Sequence, residues 1–350
     1  MEKGKTVILF IGFFSFLFTF HFSLQWEKKL SLPVKQKDLL FFGDYSQDEE
    51  ESEEDSGEED EYEETVVKNK TEAGTGQKIS ARGDYLSASY NFVNFNKDRL
   101  SLSISVPSSY LKEYLKNYGY RDEEYEALKS WRQKTIKEAW EKAYVKGGRG
   151  EADKAAEEVR LEYDTKLRAL FYKRGMALRE GNIVVCDMPN IVKRNISELK
   201  PLALEIQKQA KIRNYSSNDT IGAAVSFVQT AIKYKIPPSK EGTLHTGGIL
   251  PPLKAVLNGW GDCDTKTGVL ASVLGNWSGM KMVGVSVPGH YLMAVRRIPA
   301  KGDLFVRYEG LEYVLIEPAG PAWLMPGQVG VNTMALLKNS KEYSLEPFFN

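Results

Sequence analysis

From residue 100 to residue 106, every second side chain is apolar. Leu100, Leu102, Ile104 and Val106 alternate with serines. Successive side chains of a β-strand point to opposite faces, so this alternation predicts a half-buried strand. A helix-type pattern follows it along the chain, which favours a mixture of helices and strands.

Apolar residues recur at helical spacing in two neighbouring stretches, 123–145 and 151–179. The glycine-rich stretch 147–150 separates them, and Gly181 is predicted to stop the second helix. The pattern therefore predicts a long helical hairpin. Acidic and basic side chains are interspersed along both helices, which argues against a nucleic-acid-binding surface.

A further helix-type pattern runs from residue 269 to residue 277 and follows the sequence Gly261-Asp262-Cys263-Asp264. This order places Cys263 in the first turn of a helix, with Asp262 as its N-cap. Unpaired N–H groups and the helix dipole favour an anion at that end. The thiolate form of Cys263, which is the nucleophilic form, is therefore favoured.

Three histidines are candidates for the proton partner of Cys263. His21 lies in an apolar N-terminal segment, and His245 lies in a loop rich in glycine and threonine. His290 follows a Pro-Gly turn and opens a predicted strand at 291–295. A histidine at the mouth of a strand suits a general base, so His290 is the candidate.

A third group is needed to orient the imidazole. The stretch 311–317 is typical of a second apolar strand, and it ends in an acid. If it pairs antiparallel with the first strand, Glu317 lies beside His290. Asp303 and Glu312 are the alternatives, and both are predicted at the far end of that hairpin.

The other cysteine, Cys186, lies in a short apolar stretch and is predicted to be a buried, unreactive side chain. Two cysteines form no disulfide framework. Because no second histidine lies near Cys263, a zinc site is not expected. The sequence thus predicts no metal and no cofactor.

The net charge of zero hides a strong asymmetry. Residues 1–64 carry 6 Lys/Arg against 17 Asp/Glu, a net charge of −11, and the remainder carries +11. Within 48–64, 13 of 17 residues are acidic and almost nothing is apolar, so a disordered tether is predicted.

Residues 6–26 are mostly apolar and carry no formal charge, and lysines flank both ends. A helix of this length crosses a bilayer core of about 30 Å. No small-residue cleavage signal follows it. We expect a membrane anchor and an extracytoplasmic location, periplasmic or at the cell surface, or a secreted protein if the segment is cleaved. The predicted divisions of the chain are an anchor or signal segment at 1–27, an acidic tether at 28–83, a strand plus helical hairpin at 84–194 and a catalytic-type domain at 195–350.

Several of these features together resemble the bacterial transglutaminase-like superfamily over about residues 195–335. Its members share a papain-like core, in which a helix that begins at a cysteine packs on an antiparallel sheet holding a histidine and an acid. The resemblance implies an α+β fold with such a core after the helical hairpin. The residues that carry it are Phe227-Val228-Gln229 with Tyr234, Pro251-Pro252, Gly261-Asp262-Cys263-Asp264-Thr265-Lys266, His290 and Tyr313-Val314-Leu315-Ile316-Glu317-Pro318.

By this resemblance Cys263 is the nucleophile, His290 the base and Glu317 the orienting acid. The family usually has Asp at the third position, so this chain departs from the pattern there. The backbone N–H of Cys263 is expected to stabilise an oxyanion. Gln229 is a further oxyanion candidate, and Trp260 is a candidate wall of the cleft.

The expected function is acyl transfer on an amide or peptide bond of a protein or peptide substrate, with water rather than an amine as the acceptor. The alternative is a catalytically silent domain that holds an envelope protein partner through the helical hairpin. The membrane is the other expected partner, through residues 6–26, and nucleic acid is not one.

Overall fold

A computed structural model describes residues 40–41, 75–339 and 343–349. The predicted anchor and the acidic run 48–64 lie outside the described residues. The chain divides into two compact units, and one of them contains Gly119–Cys186. The other contains Lys37–Tyr118 and Asp187–Asn350. Within the described ranges, every helix is too short or too polar to span a bilayer.

The described chain has an α+β fold, with helices and largely antiparallel sheets. The strands are β1 (Leu40–Phe41), β2 (Gly76–Arg82), β3 (Tyr85–Val93), β4 (Arg99–Pro107), β5 (Tyr120–Arg121), β6 (Met176–Arg179), β7 (Ile183–Cys186), β8 (Lys233–Tyr234), β9 (Lys240–Glu241), β10 (Leu244–His245), β11 (Trp260–Gly261), β12 (Met282–Val287), β13 (His290–Arg296), β14 (Phe305–Tyr308), β15 (Leu311–Ile316) and β16 (Ser344–Pro347). The helices are α1 (Ser108–Leu115), α2 (Asp122–Lys173), α3 (Met188–Asn195), α4 (Lys200–Ile212), α5 (Ser217–Ser226), α6 (Pro252–Asn258), α7 (Cys263–Leu274) and α8 (Val331–Asn339), with a 3₁₀ turn at Glu180–Asn182 and a π-helical turn at Phe227–Ala231.

The larger unit is built on an antiparallel sheet with the strand order β1-β14-β15-β13-β12-β16. The strands predicted at 291–295 and 311–317 correspond to β13 and β15, and they pair antiparallel, with Met293 opposite Ile316. Continuing that register places Glu317 opposite Leu292, two residues from His290. Strand β14 was not predicted, and it covers the other edge of β15.

The sheet is strongly apolar because its central strands are buried on both faces. Its core is formed by buried residues of β12–β15 together with Leu304, just before β14, and Leu337 of α8: Val283, Val285, Val287, Leu292, Ala294, Leu304, Val306, Tyr313, Leu315 and Leu337.

A second sheet is the antiparallel meander β2-β3-β4. The alternation that predicted a strand at 100–106 is present in β4, where Leu100, Leu102 and Ile104 are buried and the serines are exposed. On β3 the rings of Tyr90 and Phe92 pack against Phe227, with centroids 5.1 and 5.5 Å away. The meander therefore supports the π-helical turn.

Strand β2 corrects the predicted tether at 28–83, because Gly76–Arg82 forms a full strand paired with β3. The compact units do not follow the predicted boundary before residue 195. The strands β2–β4 and helix α1 belong to the same compact unit as the Cys263 helix, whereas 119–186 belongs to the other unit. This division could not be predicted from the local pattern, because the two parts of the larger unit are far apart in sequence.

The unit at 119–186 contains α2, whose backbone leaves the helical conformation at Gly148 with φ 73° and ψ −165°. On the two sides of that break, Trp140 Nε1 donates to Asp153 Oδ1 at 3.1 Å. The helix ends at Lys173 and not near residue 179 as predicted. Gly175 takes φ 71°, and the residues after it form β6, which pairs with β7.

Candidate active site

Cys263 is the first residue of α7, and Asp262 is its N-cap. The Asp262 side chain accepts a hydrogen bond from the Thr265 backbone N–H at 3.0 Å. Gly261 must be glycine here, because a Cβ would lie 2.2 Å from the Thr265 methyl group. The predicted helix start and its cap are therefore both present, and they fix Cys263 at the positive end of the helix dipole.

Helix α7 is almost entirely buried, from Thr265 to Leu274. It packs against β13, and the hydroxyl of Thr267 donates to the carbonyl of Tyr291 at 3.2 Å. Tyr291 directly follows His290. This bond therefore connects the helix that carries the cysteine to the strand that carries the histidine.

His290 and Glu317 are hydrogen-bonded to each other. His290 Nε2 lies 3.1 Å from Oε1 and 3.0 Å from Oε2 of Glu317. Because the carboxylate only accepts, Nε2 carries the hydrogen that it donates. Nδ1 is therefore the ring nitrogen left to interact with Cys263, which is among the groups that raise the pKa of His290.

The Glu317 carboxylate is nearly inaccessible to solvent, with 4% of the residue exposed. Thr333 of α8 donates its hydroxyl to Oε2 at 2.7 Å, and the Ala319 backbone N–H donates to Oε1 at 3.2 Å. Glu317 is thus held in a fixed orientation, with both carboxylate oxygens engaged as acceptors.

The charge state of His290 follows from these contacts. Burial lowers its pKa, but hydrogen bonds to Cys263 and Glu317 and the charges of both groups outweigh burial and raise the pKa to about 10. The imidazolium is thus the favoured form at neutral pH. An imidazolium beside a cysteine is the arrangement in which the thiolate is stabilised as an ion pair.

Asp264 directly follows the nucleophile in sequence. The Cys263 thiol lies 3.7 Å from Asp264 Oδ1. Burial, followed by the neighbouring charge of Asp262, raises the pKa of Asp264 to about 6. Asp264 therefore gains a proton more easily than an exposed aspartate as the pH falls.

Gln229 lies in the π-helical turn and is buried. Its Nε2 donates to the carbonyls of Glu317 and Leu324 at 2.7 and 2.9 Å, and its Oε1 accepts from the Leu324 N–H at 3.0 Å. Both amide hydrogens are used, so none remains for an oxyanion. In this structure Gln229 fixes the backbone that carries Glu317, and the oxyanion role stays a prediction.

Trp260 lies in β11, three residues before Cys263, and is half-buried. Strand β11 pairs in parallel with β8, and Trp260 faces Lys233 in that pairing. The ammonium of Lys235 lies 4.6 Å from the centre of the Trp260 ring. The aromatic face next to the nucleophile therefore has a cationic neighbour.

The alternative acids are engaged elsewhere. Asp303 Oδ2 accepts from Arg297 Nη2 at 2.8 Å, and Glu312 Oε1 accepts from Arg307 Nη2 at 3.1 Å. The second cysteine, Cys186, is half-buried against the apolar cluster of the 119–186 unit. The structure therefore brings together Cys263, His290 and Glu317.

Sequence reasoning missed Thr333 and Thr267, which position Glu317 and His290 through hydroxyl hydrogen bonds. No local pattern distinguishes these threonines, because their partners are distant in sequence.

In the part of the chain that the structure describes, no three His, Cys, Asp or Glu side chains are grouped to hold a metal ion. No family model, curated protein or solved structure matches this chain.

Proposed function

We propose that this protein is a cysteine-nucleophile enzyme that cleaves an amide or peptide bond through a thioester on Cys263. The observation that supports the proposal is the arrangement of three side chains from separate elements. Cys263 begins α7, His290 begins β13 and Glu317 follows β15; His290 is hydrogen-bonded to Glu317, and Cys263 is one of the groups that raise the pKa of His290. Nucleophile, base and orienting acid in this order are the parts that acyl transfer requires.

The proposed fold class is the papain or transglutaminase-like core, with 122–173 as its helical hairpin. Two observations support it: α7 packs on β13, and the sheet is antiparallel around the strands of His290 and Glu317. The third residue remains the departure from the family pattern, since Glu317 takes the place of the usual Asp.

The proposed reaction begins with attack of the Cys263 thiolate on the carbonyl carbon. The carbonyl electron pair moves to oxygen, where the first-turn N–H of α7 at Cys263 stabilises the developing charge. As the intermediate collapses, the carbon–nitrogen bond breaks and His290 Nδ1 gives its proton to the leaving amine. A thioester and a neutral imidazole remain, with Glu317 still bound to Nε2.

In the second half, neutral His290 takes a proton from water, and the resulting hydroxide attacks the thioester. The carbon–sulfur bond breaks, the carboxylic acid leaves, and the thiolate–imidazolium pair is restored. Water is the proposed acceptor because the site is proposed to work in an extracytoplasmic, aqueous space on a membrane-tethered chain.

The direct test uses the full chain with two matched single variants, Cys263→Ala and Cys186→Ala. Each protein is incubated with p-nitrophenyl acetate as an acyl donor and with iodoacetamide at neutral pH, and the modified cysteine is identified by mass spectrometry. We expect acetylation and fast alkylation of Cys263 in the wild type and in Cys186→Ala, and neither in Cys263→Ala.

Equally slow labelling of both cysteines would contradict the proposed enzyme activity. It would favour the alternative, a silent domain that holds a protein partner through 122–173.

A further inference from the structure

Lys266 is a buried lysine in the second turn of the Cys263 helix. None of the residue is exposed, and in the described part of the chain its Nζ has no hydrogen-bond partner. A buried ammonium without partners is unfavourable compared with an apolar side chain of the same size. A lysine at this position therefore requires an explanation other than packing.

The position of Lys266 relative to Cys263 suggests such an explanation. It lies three residues after Cys263, and residues at that spacing are neighbours on one face of a helix. Helical side chains lean towards the N-terminus, so the Lys266 chain extends back towards the turn that carries Cys263. The negative charge of Glu317, which is buried and hydrogen-bonded to His290, favours the protonated form of Lys266.

We propose that the Lys266 ammonium is a positioning charge for the site, which balances Glu317 and thereby favours the Cys263 thiolate. The inference rests on the proposed cysteine chemistry. With Lys266 protonated, the positive charges of Lys266 and His290 balance the negative charges of Glu317 and the thiolate. Without that proton these four groups carry a net negative charge, which opposes the thiolate.

The other acids near the site do not replace this charge. Asp262 caps α7, and the negative charges of Asp262 and Glu346 both raise the pKa of Asp264. All three are anions, so they add to the negative potential that Lys266 opposes. Burial lowers the pKa of Lys266 to about 7, against the opposing effect of the Glu317 charge. The ammonium is therefore present at neutral and acidic pH and is lost on the alkaline side.

The test measures the rate of Cys263 alkylation by iodoacetamide as a function of pH. The full chain carries Cys186→Ala, so that Cys263 is its single thiol. In this background Lys266→Met is compared with Lys254→Met, a matched change on the adjacent helix α6, where the lysine is partly exposed. We expect Lys266→Met to move the midpoint of alkylation upwards by about one pH unit and Lys254→Met to leave it unchanged.

Thermal unfolding near neutral pH separates this role from a packing role. We expect the melting temperature of Lys266→Met to equal or exceed that of the parent, because the variant removes a buried charge. An unmoved alkylation midpoint overturns the inference, whether or not the melting temperature falls. If Lys266→Met does not fold, Lys266→Gln removes the same charge and is judged by the same midpoint.

The two hypotheses fail in different ways. Slow alkylation of the parent protein over the whole pH range contradicts the proposed function. Fast alkylation of the parent with no difference in Lys266→Met contradicts only the role of Lys266.

Discussion

His290 Nε2 lies within 3.1 Å of both carboxylate oxygens of Glu317, and that carboxylate is buried. The carboxylate therefore fixes the plane of the imidazole and its tautomer, and it leaves Nδ1 for Cys263. A protonated Nδ1 can then be held next to the sulfur without rotation of the ring.

Replacing Glu317 by Gln tests this relationship. The variant keeps the shape of the side chain but removes the charge that raises the pKa of His290. We expect the pKa of His290 to fall and acyl-enzyme formation from p-nitrophenyl acetate to slow by about 10²- to 10⁴-fold. The matched change Glu317→Asp keeps the charge, so we expect a smaller loss. Equal rates in wild type and Glu317→Gln would contradict an orienting role.

The sequence could predict that Glu317 approaches His290, because turn residues mark the ends of both strands and an antiparallel pairing of these strands is predicted. It could not predict the register. Glu317 aligns with Leu292 and not with His290, and a side chain longer than Asp helps the carboxylate to cover that offset. A glutamate at this position thus has a physical reason in the pairing.

Asp262→Ala tests the cap of the Cys263 helix. Loss of an N-cap costs about 1 kcal/mol of stability. Ser216→Ala is the matched control, because Ser216 caps α5 through the Asp219 N–H at 3.1 Å but lies outside the site. We expect similar losses in the free energy of unfolding, measured with urea. Only Asp262→Ala should also change the rate of Cys263 alkylation, because it removes both the cap and the negative charge next to Cys263, and an equal effect of Ser216→Ala would contradict local control of the thiolate.

Gln229→Leu tests the attachment of the loop after Glu317. The change leaves two carbonyls and one N–H without their partner, and each buried group left unpaired costs about 1–3 kcal/mol. Gln328→Leu is the control, since Gln328 is exposed and accepts only a bond from Met325 N–H at 3.1 Å. We expect a large loss of stability and of acylation for Gln229→Leu. If acylation is lost without a loss of stability, Gln229 acts on the reaction directly.

The role of Gln229 could not be predicted from sequence. A glutamine in an apolar helical stretch is compatible with packing, with catalysis and with loop support, and the choice depends on residues 88 and 95 positions away.

The end of α2 at Lys173 was not predicted, for a local reason. Gly175 stops the helix, but the apolar spacing continues past it into β6 and is also compatible with a strand.

The pH dependence of stability provides the last prediction, because Lys266 and His290 have opposite effects. The pKa of His290 is raised from 6.5 to about 10 in the folded protein. Its contribution to stability is therefore complete below about pH 6.5 and is lost as the pH rises towards 10. The pKa of Lys266 is lowered from 10.5 to about 7, so the unfolded chain binds more protons between these values. Its contribution makes stability rise with pH over nearly the same range.

These two slopes offset each other in the wild type, and single substitutions should separate them. In Lys266→Met only the His290 contribution remains, so the free energy of unfolding should fall between about pH 7 and pH 10 relative to the wild type. In His290→Gln only the Lys266 contribution remains, so it should rise over that range. Urea unfolding at a series of pH values measures both differences, and contributions shared by all variants cancel in the comparison. Parallel curves for the three proteins would show that neither pKa is shifted by the fold. In the double variant Lys266→Met/His290→Gln both contributions are absent, so its curve should run nearly parallel to that of the wild type.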